Sequence, residues 1–164
     1  MEDYELMFES DKIYYVKVTE KLLDDYLIMI NDPEVQKFIS KTLKVYTKEG
    51  ELGWIKTKLE EEAPIFSMVD KETKKFIGNI EIMDIKDGYG ELGISLTRTM
   101  QDKHYGQEAL RTIIDYAFNT LKLNELGLNV YDFNARAIHC YEKVGFIKDG
   151  VGKEPEDIHM TYRK

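Results

Sequence analysis

The sequence predicts a mixed α/β sandwich of α+β class, in which a mostly antiparallel sheet is flanked by helices, as a single domain over residues 1–164. Helical spacing dominates before Pro64, strand-like alternation takes over from Ile65 to Thr97, and the C-terminal part runs helix, strand, helix, strand. That last alternation requires a crossover and at least one parallel pairing, so the sheet is mixed. A chain of 164 residues holds one real core and is short for two. Its 43% hydrophobic content, with 7 Phe and 11 Tyr, argues against disorder despite 33% charged residues.

Ile13 to Val18 alternates enough for a first strand. Thr19 and Glu20 then open a helix with Leu22, Leu23, Tyr26, Leu27 and Ile30 on one face, stopped by Asn31-Asp32-Pro33. A second helix is expected at Glu34 to Ile39 and a third at Lys48 to Glu61, carried by Leu52, Ile55 and Leu59. Strands are expected next at Ile65–Val69, Phe76–Ile85 and Glu91–Thr97, separated by Asp70-Lys71-Glu72 and Asp87-Gly88, as an antiparallel meander. Gly106 to Leu121 carries Ala109, Leu110, Ile113, Ile114, Ala117, Phe118 and Leu121, the stripe of a core-facing helix. Leu126–Val130 is a short strand, and Phe146-Ile147 with Ile158–Tyr162 closes the sheet through a loop at Gly150 to Asp157.

The formal charge of −8 indicates no broad basic surface for nucleic acid, and an acidic field attracts cationic partners such as amines. Solubility alone also explains it. One cysteine excludes an internal disulfide, and three scattered histidines offer no zinc constellation, so no metal is expected. The acidic start Met1-Glu2-Asp3-Tyr4 is unlike a secretory signal, and no apolar run approaches the ~18 residues of a membrane span, so a cytoplasmic protein without membrane contact is expected.

Gly88-Tyr89-Gly90-Glu91-Leu92-Gly93 has the letters of G-x-G-x-x-G. That fingerprint works by turning a strand into a helix whose N-terminus meets a pyrophosphate, whereas strand-like residues lie on both sides here, so a hairpin is expected. The better anion candidate is Gln101-Asp102-Lys103-His104-Tyr105-Gly106, at the start of the long helix. Unpaired amides and the positive end of the helix dipole favour an anion there, with Gln101, Lys103 and His104 as further donors. By composition alone the loop equally fits a solvated turn.

Asn134-Ala135-Arg136-Ala137-Ile138-His139-Cys140-Tyr141-Glu142-Lys143-Val144-Gly145-Phe146 reads as a short helix, with Asn134 suited to the N-cap and Gly145 to the position after the last turn. Residues seven apart share a side, which puts Asn134 and Tyr141 on one face. A purely structural helix, packing Ala137, Ile138, Cys140 and Val144, fits the same spacing.

This segment resembles the last motif of the GNAT N-acetyltransferases, N-x-x-A-x-x-x-Y-E/R-K-x-G-F, and the Gln101–Gly106 loop resembles that family's pyrophosphate motif Q/R-x-x-G-x-G/A. Gln101 and Gly106 match, Glu108-Ala109-Leu110 is similar to the residues just beyond that motif in many members, and His104 stands where the family has glycine. The resemblance covers Phe76 to Phe146 well and the first seventy residues loosely, and is nearest the branch of ribosomal-protein and spermidine N-acetyltransferases. It implies transfer of an acetyl group from acetyl-CoA to a primary amine in a direct ternary complex, with CoA as product. It further implies that Ile94, Ser95 and Leu96 pair through backbone with the pantetheine arm. Gln101, Asp102, Lys103, His104, Tyr105, Gly106 and Gln107 would hold the pyrophosphate, and Asn134, Arg136, Tyr141 and Lys143 would complete the cofactor contacts.

Tyr141 is the natural general acid, since a phenol of pKa ~10 is protonated at pH 7 and can supply the leaving thiolate, whose conjugate acid lies near ~8.5. A backbone amide of Ile94 to Leu96 is the candidate donor to the oxyanion. The attacking amine must lose a proton, and Glu81 and Glu91 are the candidate bases, each equally readable as a structural carboxylate. Some members carry glutamate where this chain has Asn129, so that route is closed, and a water chain is a further route beside Glu81 and Glu91. Cys140 is rotated ~100° from Tyr141 and has no evident base, which argues against a covalent acyl-enzyme.

The expected acceptor is a small-molecule amine or a peptide N-terminus, and a homodimer is compatible with this reading. Asp24, Asp25, Asp32, Glu34, Glu60, Glu61 and Glu62 can attract a polyamine or a basic peptide, or simply form solvated helix faces. Two other readings are a non-catalytic module sensing acetyl-CoA or a polyamine on the same fold, and a protein-interaction domain without cofactor.

Overall fold

The structure is a computed structural model that describes residues 3–152 and 154–164. Eight strands are ordered β1-β2-β3-β4-β5-β6-β8-β7: β1 Leu6–Glu9, β2 Ile13–Lys17, β3 Ile65–Asp70, β4 Phe76–Lys86, β5 Tyr89–Leu96, β6 Glu125–Tyr131, β7 Ile147–Val151 and β8 Asp157–Arg163. The helices are α1 Leu23–Asn31, α2 Pro33–Gln36, α3 Lys48–Glu60, α4 Tyr105–Asp115 and α5 Ala135–Val144. The predicted mixed, mostly antiparallel sheet is present: β1-β2, β2-β3, β3-β4, β6-β8 and β7-β8 are antiparallel, and β5-β6 is parallel.

The chain forms two compact units, one from the residues up to Glu81 with Ile94–Tyr105, the other from Ile82–Gly93 with Gly106–Lys164. In the first, β3 pairs Ile65 with Glu81 and Ser67 with Asn79. Ile65, Val69 and Phe76 share a core with Val16, Leu22, Leu23, Tyr26, Met29 and Ile55, each buried aliphatic contributing about 1.5–3 kcal/mol. The Tyr26 ring meets Trp54 and Phe76 edge-on, at centroid distances of 5.8 and 5.4 Å. In the second unit, Ala109, Leu110, Ile113, Ile114, Ala117 and Phe118 of the expected stripe are all buried, as are Leu126, Leu128 and Met160.

Several boundaries differ from the sequence reading. The edge strand β1 was absent from it, because Leu6-Met7-Phe8-Glu9 is short and mostly exposed; it is held by Phe8 stacked on Tyr15 at 4.6 Å. Pro33 begins α2 instead of merely ending α1, since a first-turn residue needs no amide hydrogen and Asp32 caps the Glu34 amide at 2.9 Å. The helix expected to Ile39 ends at Gln36, beyond which the Ile39 amide reaches the Gln36 carbonyl at 2.8 Å as a tighter turn. In α3 the buried positions are Glu51 and Ile55, while Leu59 is exposed. The long helix is α-helical only to Asp115 and continues as a π-helical turn over Tyr116–Thr120, closed by the Leu121 amide on the Tyr116 carbonyl at 3.1 Å. Strand β5 starts at Tyr89, immediately after Asp87 and Gly88, whose φ values of 52° and 81° suit a two-residue hairpin. Thus Gly88 turns the hairpin, Tyr89–Gly93 runs along a strand, and the segment opens no helix. Strand β7 extends through Gly150 and Val151, where the sequence predicts a loop.

Candidate active site

In the first unit, Ile94 to Thr97 are consecutively half-exposed, unlike the alternating ends of a covered strand. Gly78 makes this stretch fit, because a Cβ there would run into the Ser95 carbonyl oxygen. The Leu96 carbonyl accepts from Gln101 Nε2 at 3.1 Å, which ties the expected pantetheine strand to the start of the anion loop.

That loop turns through positive φ at Asp102 (60°) and His104 (69°). His104 therefore keeps the left-handed backbone that glycine adopts freely, at a strain of about 1–2 kcal/mol. Its imidazole is exposed. The amides of Lys103 and His104 make no backbone–backbone hydrogen bond among the described residues, and those of Gly106 and Gln107 lie in the first turn of α4, where a helix supplies no partner of its own. Amides left open at the start of α4 suit the diphosphate of a CoA ester, which is the fit the donor set offers. His104→Gly is expected to raise stability by at most about 1 kcal/mol, relief of strain outweighing the added unfolded-state entropy, read as a higher urea midpoint at unchanged m.

Tyr105 is anchored. Its hydroxyl donates to Asp70 Oδ2 at 2.6 Å, while Asp70 Oδ1 accepts from the amides of Thr73 at 2.8 Å and Glu72 at 2.9 Å. The Thr73 amide first, and then the Tyr105 hydroxyl, hold the Asp70 carboxyl below its usual range. A depressed folded-state pKa gives stability that is fully present above the unfolded value near ~4 and is lost as pH falls through the lower folded value. The stability lost in Asp70→Asn should therefore be largest at neutral pH and shrink as the pH falls below about 4, measured by urea titration at each pH.

Glu81 lies 3.7 Å from Lys58 Nζ, and burial pushes its carboxyl up against the opposing pull of that lysine. Burial thus moves Glu81 toward the range a general base needs. On the same face of β4, Asn79 takes part in a buried polar chain that the sequence reading missed. The Thr19 amide donates to Tyr26 Oη at 3.3 Å, Tyr26 Oη lies 2.5 Å from Ser67 Oγ, and Ser67 donates to Asn79 Oδ1 at 2.8 Å. Its signal was a lone polar residue inside an apolar strand.

In the second unit, Glu91 accepts from Asn129 Nδ2 at 3.2 Å. Helix α5 is punctuated as expected: Asn134 Oδ1 accepts from the Ala137 amide at 3.3 Å, and Gly145 has φ 114°. Arg136 and Lys143 are exposed along it. Tyr141 is half-buried, meets Phe146 edge-on at 5.9 Å, and makes no hydrogen bond through its hydroxyl among the described residues. No buried side-chain polar atom is left unsatisfied there, so this hydroxyl is reachable from solvent. Burial pushes its phenol further above 10, so it carries its proton at any physiological pH. Cys140 is pushed up by burial too, which keeps it a thiol and disfavours a nucleophilic role. His159 is held by Asp149 at 2.5 Å and faces Tyr89 Oη at 3.4 Å, a structural pairing. Among the described residues no cluster of His, Cys, Asp or Glu could hold a metal, and no helix is long and apolar enough to cross a membrane.

The fold is widely shared. An acetyltransferase of the GNAT family from Bacillus anthracis superposes with a TM-score of 0.84 at 18% identity, covering 94% of this chain and 96% of that one. Spermidine N-acetyltransferase from Vibrio cholerae, in complex with CoA and spermine, gives 0.84 at 19% identity over the same shares. In sequence, the chain is 31% identical over 131 residues to the uncharacterized N-acetyltransferase p20 of Bacillus licheniformis, spanning 77% of this chain and 74% of the relative. It is 29% identical over 98 residues to a Vibrio cholerae spermidine N(1)-acetyltransferase, spanning 58% of this chain and 57% of that enzyme. The family described as "Acetyltransferase (GNAT) domain" matches residues 12–147, so the chain belongs to the GNAT acetyltransferases, acyltransferases that use acetyl-CoA.

Proposed function

We propose that this chain acts as one N-acetyltransferase domain over residues 1–164, moving the acetyl group of acetyl-CoA to a primary amine by direct transfer. The observation that carries this reading is the protonated, solvent-reachable, unbonded phenol of Tyr141 on a helix whose motif matches the family's. Acetyl-CoA supplies the acetyl group as a thioester, from which the amine displaces the thiolate. Tyr141 gives its proton to the departing sulfur. Backbone amides of Ile94, Ser95 and Leu96 orient the donor's arm, and one of them donates to the carbonyl oxygen as negative charge develops. The loop from Gln101 through Asp102, Lys103, His104, Tyr105 and Gly106 to Gln107 holds the diphosphate. Asn134, Arg136 and Lys143 contribute further contacts from α5. Glu81 is the favoured base, since its carboxyl is raised; Glu91, already accepting from Asn129, is the second candidate. The spermidine enzymes among the relatives support a small-molecule amine, and a peptide N-terminus remains the other acceptor class.

The test is thiol release by the purified protein given acetyl-CoA and a panel of polyamines, peptide N-termini and aminoglycosides. Turnover of any of them is the expected result. Thermal stabilisation by CoA with no turnover on the panel would instead make the chain a sensing module, and no CoA-dependent shift would leave an interaction domain.

A further inference from the structure

The Thr19–Tyr26–Ser67–Asn79 chain fixes which way the Asn79 amide faces. Tyr26 and Ser67 are 1% and 0% exposed, so each hydroxyl hydrogen must find an acceptor inside the protein. Tyr26 Oη already accepts from the Thr19 amide, and the acceptor within reach of its own hydrogen is Ser67 Oγ, 2.5 Å away. Burial pushes the Tyr26 phenol up to about 12, so that hydrogen is always present. Ser67, accepting from Tyr26, must donate onward, to Asn79 Oδ1 at 2.8 Å. The reverse direction, with Asn79 Nδ2 donating to Ser67 and Ser67 to Tyr26, would strand the buried Tyr26 hydrogen at a cost of about 1–3 kcal/mol. Asn79 therefore turns its NH₂ group away from Ser67. Asn79 is half-buried, and its Nδ2 makes no hydrogen bond among the described residues.

Asn79 shares one face of β4 with Glu81, two residues along, which Lys58 of α3 already engages at 3.7 Å. Gly78, the preceding residue, abuts the Ser95 carbonyl, so Asn79 stands alongside the strand assigned to the donor's arm. A fixed N–H donor beside a carboxylate already engaged by Lys58 suits an oxygen acceptor. It does not suit an ammonium group, which only donates, nor the attacking nitrogen, whose lone pair goes into the new bond. We infer that Asn79 is a specificity-determining residue that receives the carbonyl oxygen next to the reacting amine, so that the acceptor is an α-amino carbonyl compound, the N-terminus of a peptide, in preference to a polyamine.

This inference rests on the proposed transfer reading, and the experiment separates the two. Thiol release at saturating acetyl-CoA is measured with alanylalanine amide, spermidine and butylamine. The wild-type protein is expected to show kcat/KM for the peptide amide, expressed per unprotonated amine at the assay pH, at least about tenfold above both amines, the worth of one well-placed hydrogen bond. Asn79→Asp keeps an oxygen for Ser67 and removes the donor. It should lower the ratio of kcat/KM for the peptide amide to kcat/KM for butylamine about tenfold, a ratio in which any effect of the added carboxyl on Glu81 cancels. Wild-type turnover of spermidine at or above the peptide amide would overturn the inference and leave the transfer reading standing, as would an Asn79→Asp variant that affects all acceptors alike or none. Silence with every amine would sink the transfer reading and this one with it. The wild-type ratio decides even where the variant folds poorly.

Discussion

Tyr141→Phe is expected to lower kcat by about 100-fold or more while leaving the Kd for acetyl-CoA within about twofold. Without the hydroxyl, sulfur must leave as a free thiolate, and a positioned general acid contributes typically ~10²–10⁴ in rate. The substitution is unusually clean. The hydroxyl has no hydrogen-bond partner to lose among the described residues, and the ring keeps its edge contact with Phe146. Folding stability should therefore change by no more than about 0.5 kcal/mol, which separates a chemical role from a structural one. The raised phenol also fixes the pH behaviour. A group whose pKa lies further above 10 does not titrate up to pH 9, so kcat of the wild-type protein should show no alkaline loss there, and the acid limb reports the base alone. A variant rate equal to wild type would remove Tyr141 from the mechanism.

How much of this was legible beforehand depends on whether the controlling interaction was local. The α5 caps were legible because an N-cap and a left-handed glycine act within one or two turns of their own position, and Asn134 and Gly145 carry the side chains those positions demand. The stripe of α4 was legible because one buried face imposes a single period. Its change to a π-helical turn after Asp115 was not, since nothing in Tyr116-Ala117-Phe118 departs from helical spacing. The roles of Asp70 and Asn79 were hidden for a different reason. Asp70 reads as a turn residue, and it is one, since it caps Glu72 and Thr73; its second oxygen is bound by a tyrosine thirty-five residues away. Asn79 reads as a flaw in a strand until the register sets it opposite Ser67. His104 illustrates both limits. Its mismatch to the family glycine was visible, but only the backbone revealed that the left-handed turn is kept and the strain accepted.

Gly78→Ala is expected to be the most disruptive of the single-methyl additions, costing roughly 2–4 kcal/mol of stability. The new Cβ would run into the Ser95 carbonyl oxygen and lie 2.9 Å from both Ser95 C and Leu96 Cα. All three neighbours are backbone atoms of a strand, so no rotamer change can make room, and β5 itself must move. Gly90→Ala is the internal comparison. Its Cβ would meet Ile82 Cγ2 at 2.5 Å and Leu123 Cδ1 at 3.1 Å, the ends of side chains that can turn, so a loss of about 1 kcal/mol is expected. Either alanine recovers some stability by restricting the unfolded chain, and that part cancels in the comparison. The displaced residue in Gly78→Ala is Ser95, within the stretch proposed to pair with the donor's arm. Acetyl-CoA should therefore raise the Tm of Gly78→Ala less than that of Gly90→Ala at equal ligand concentration. Equal urea midpoints for the two variants would refute the backbone collision. Equal ligand-induced shifts, with unequal midpoints, would separate Ser95 from cofactor binding while leaving the packing argument intact.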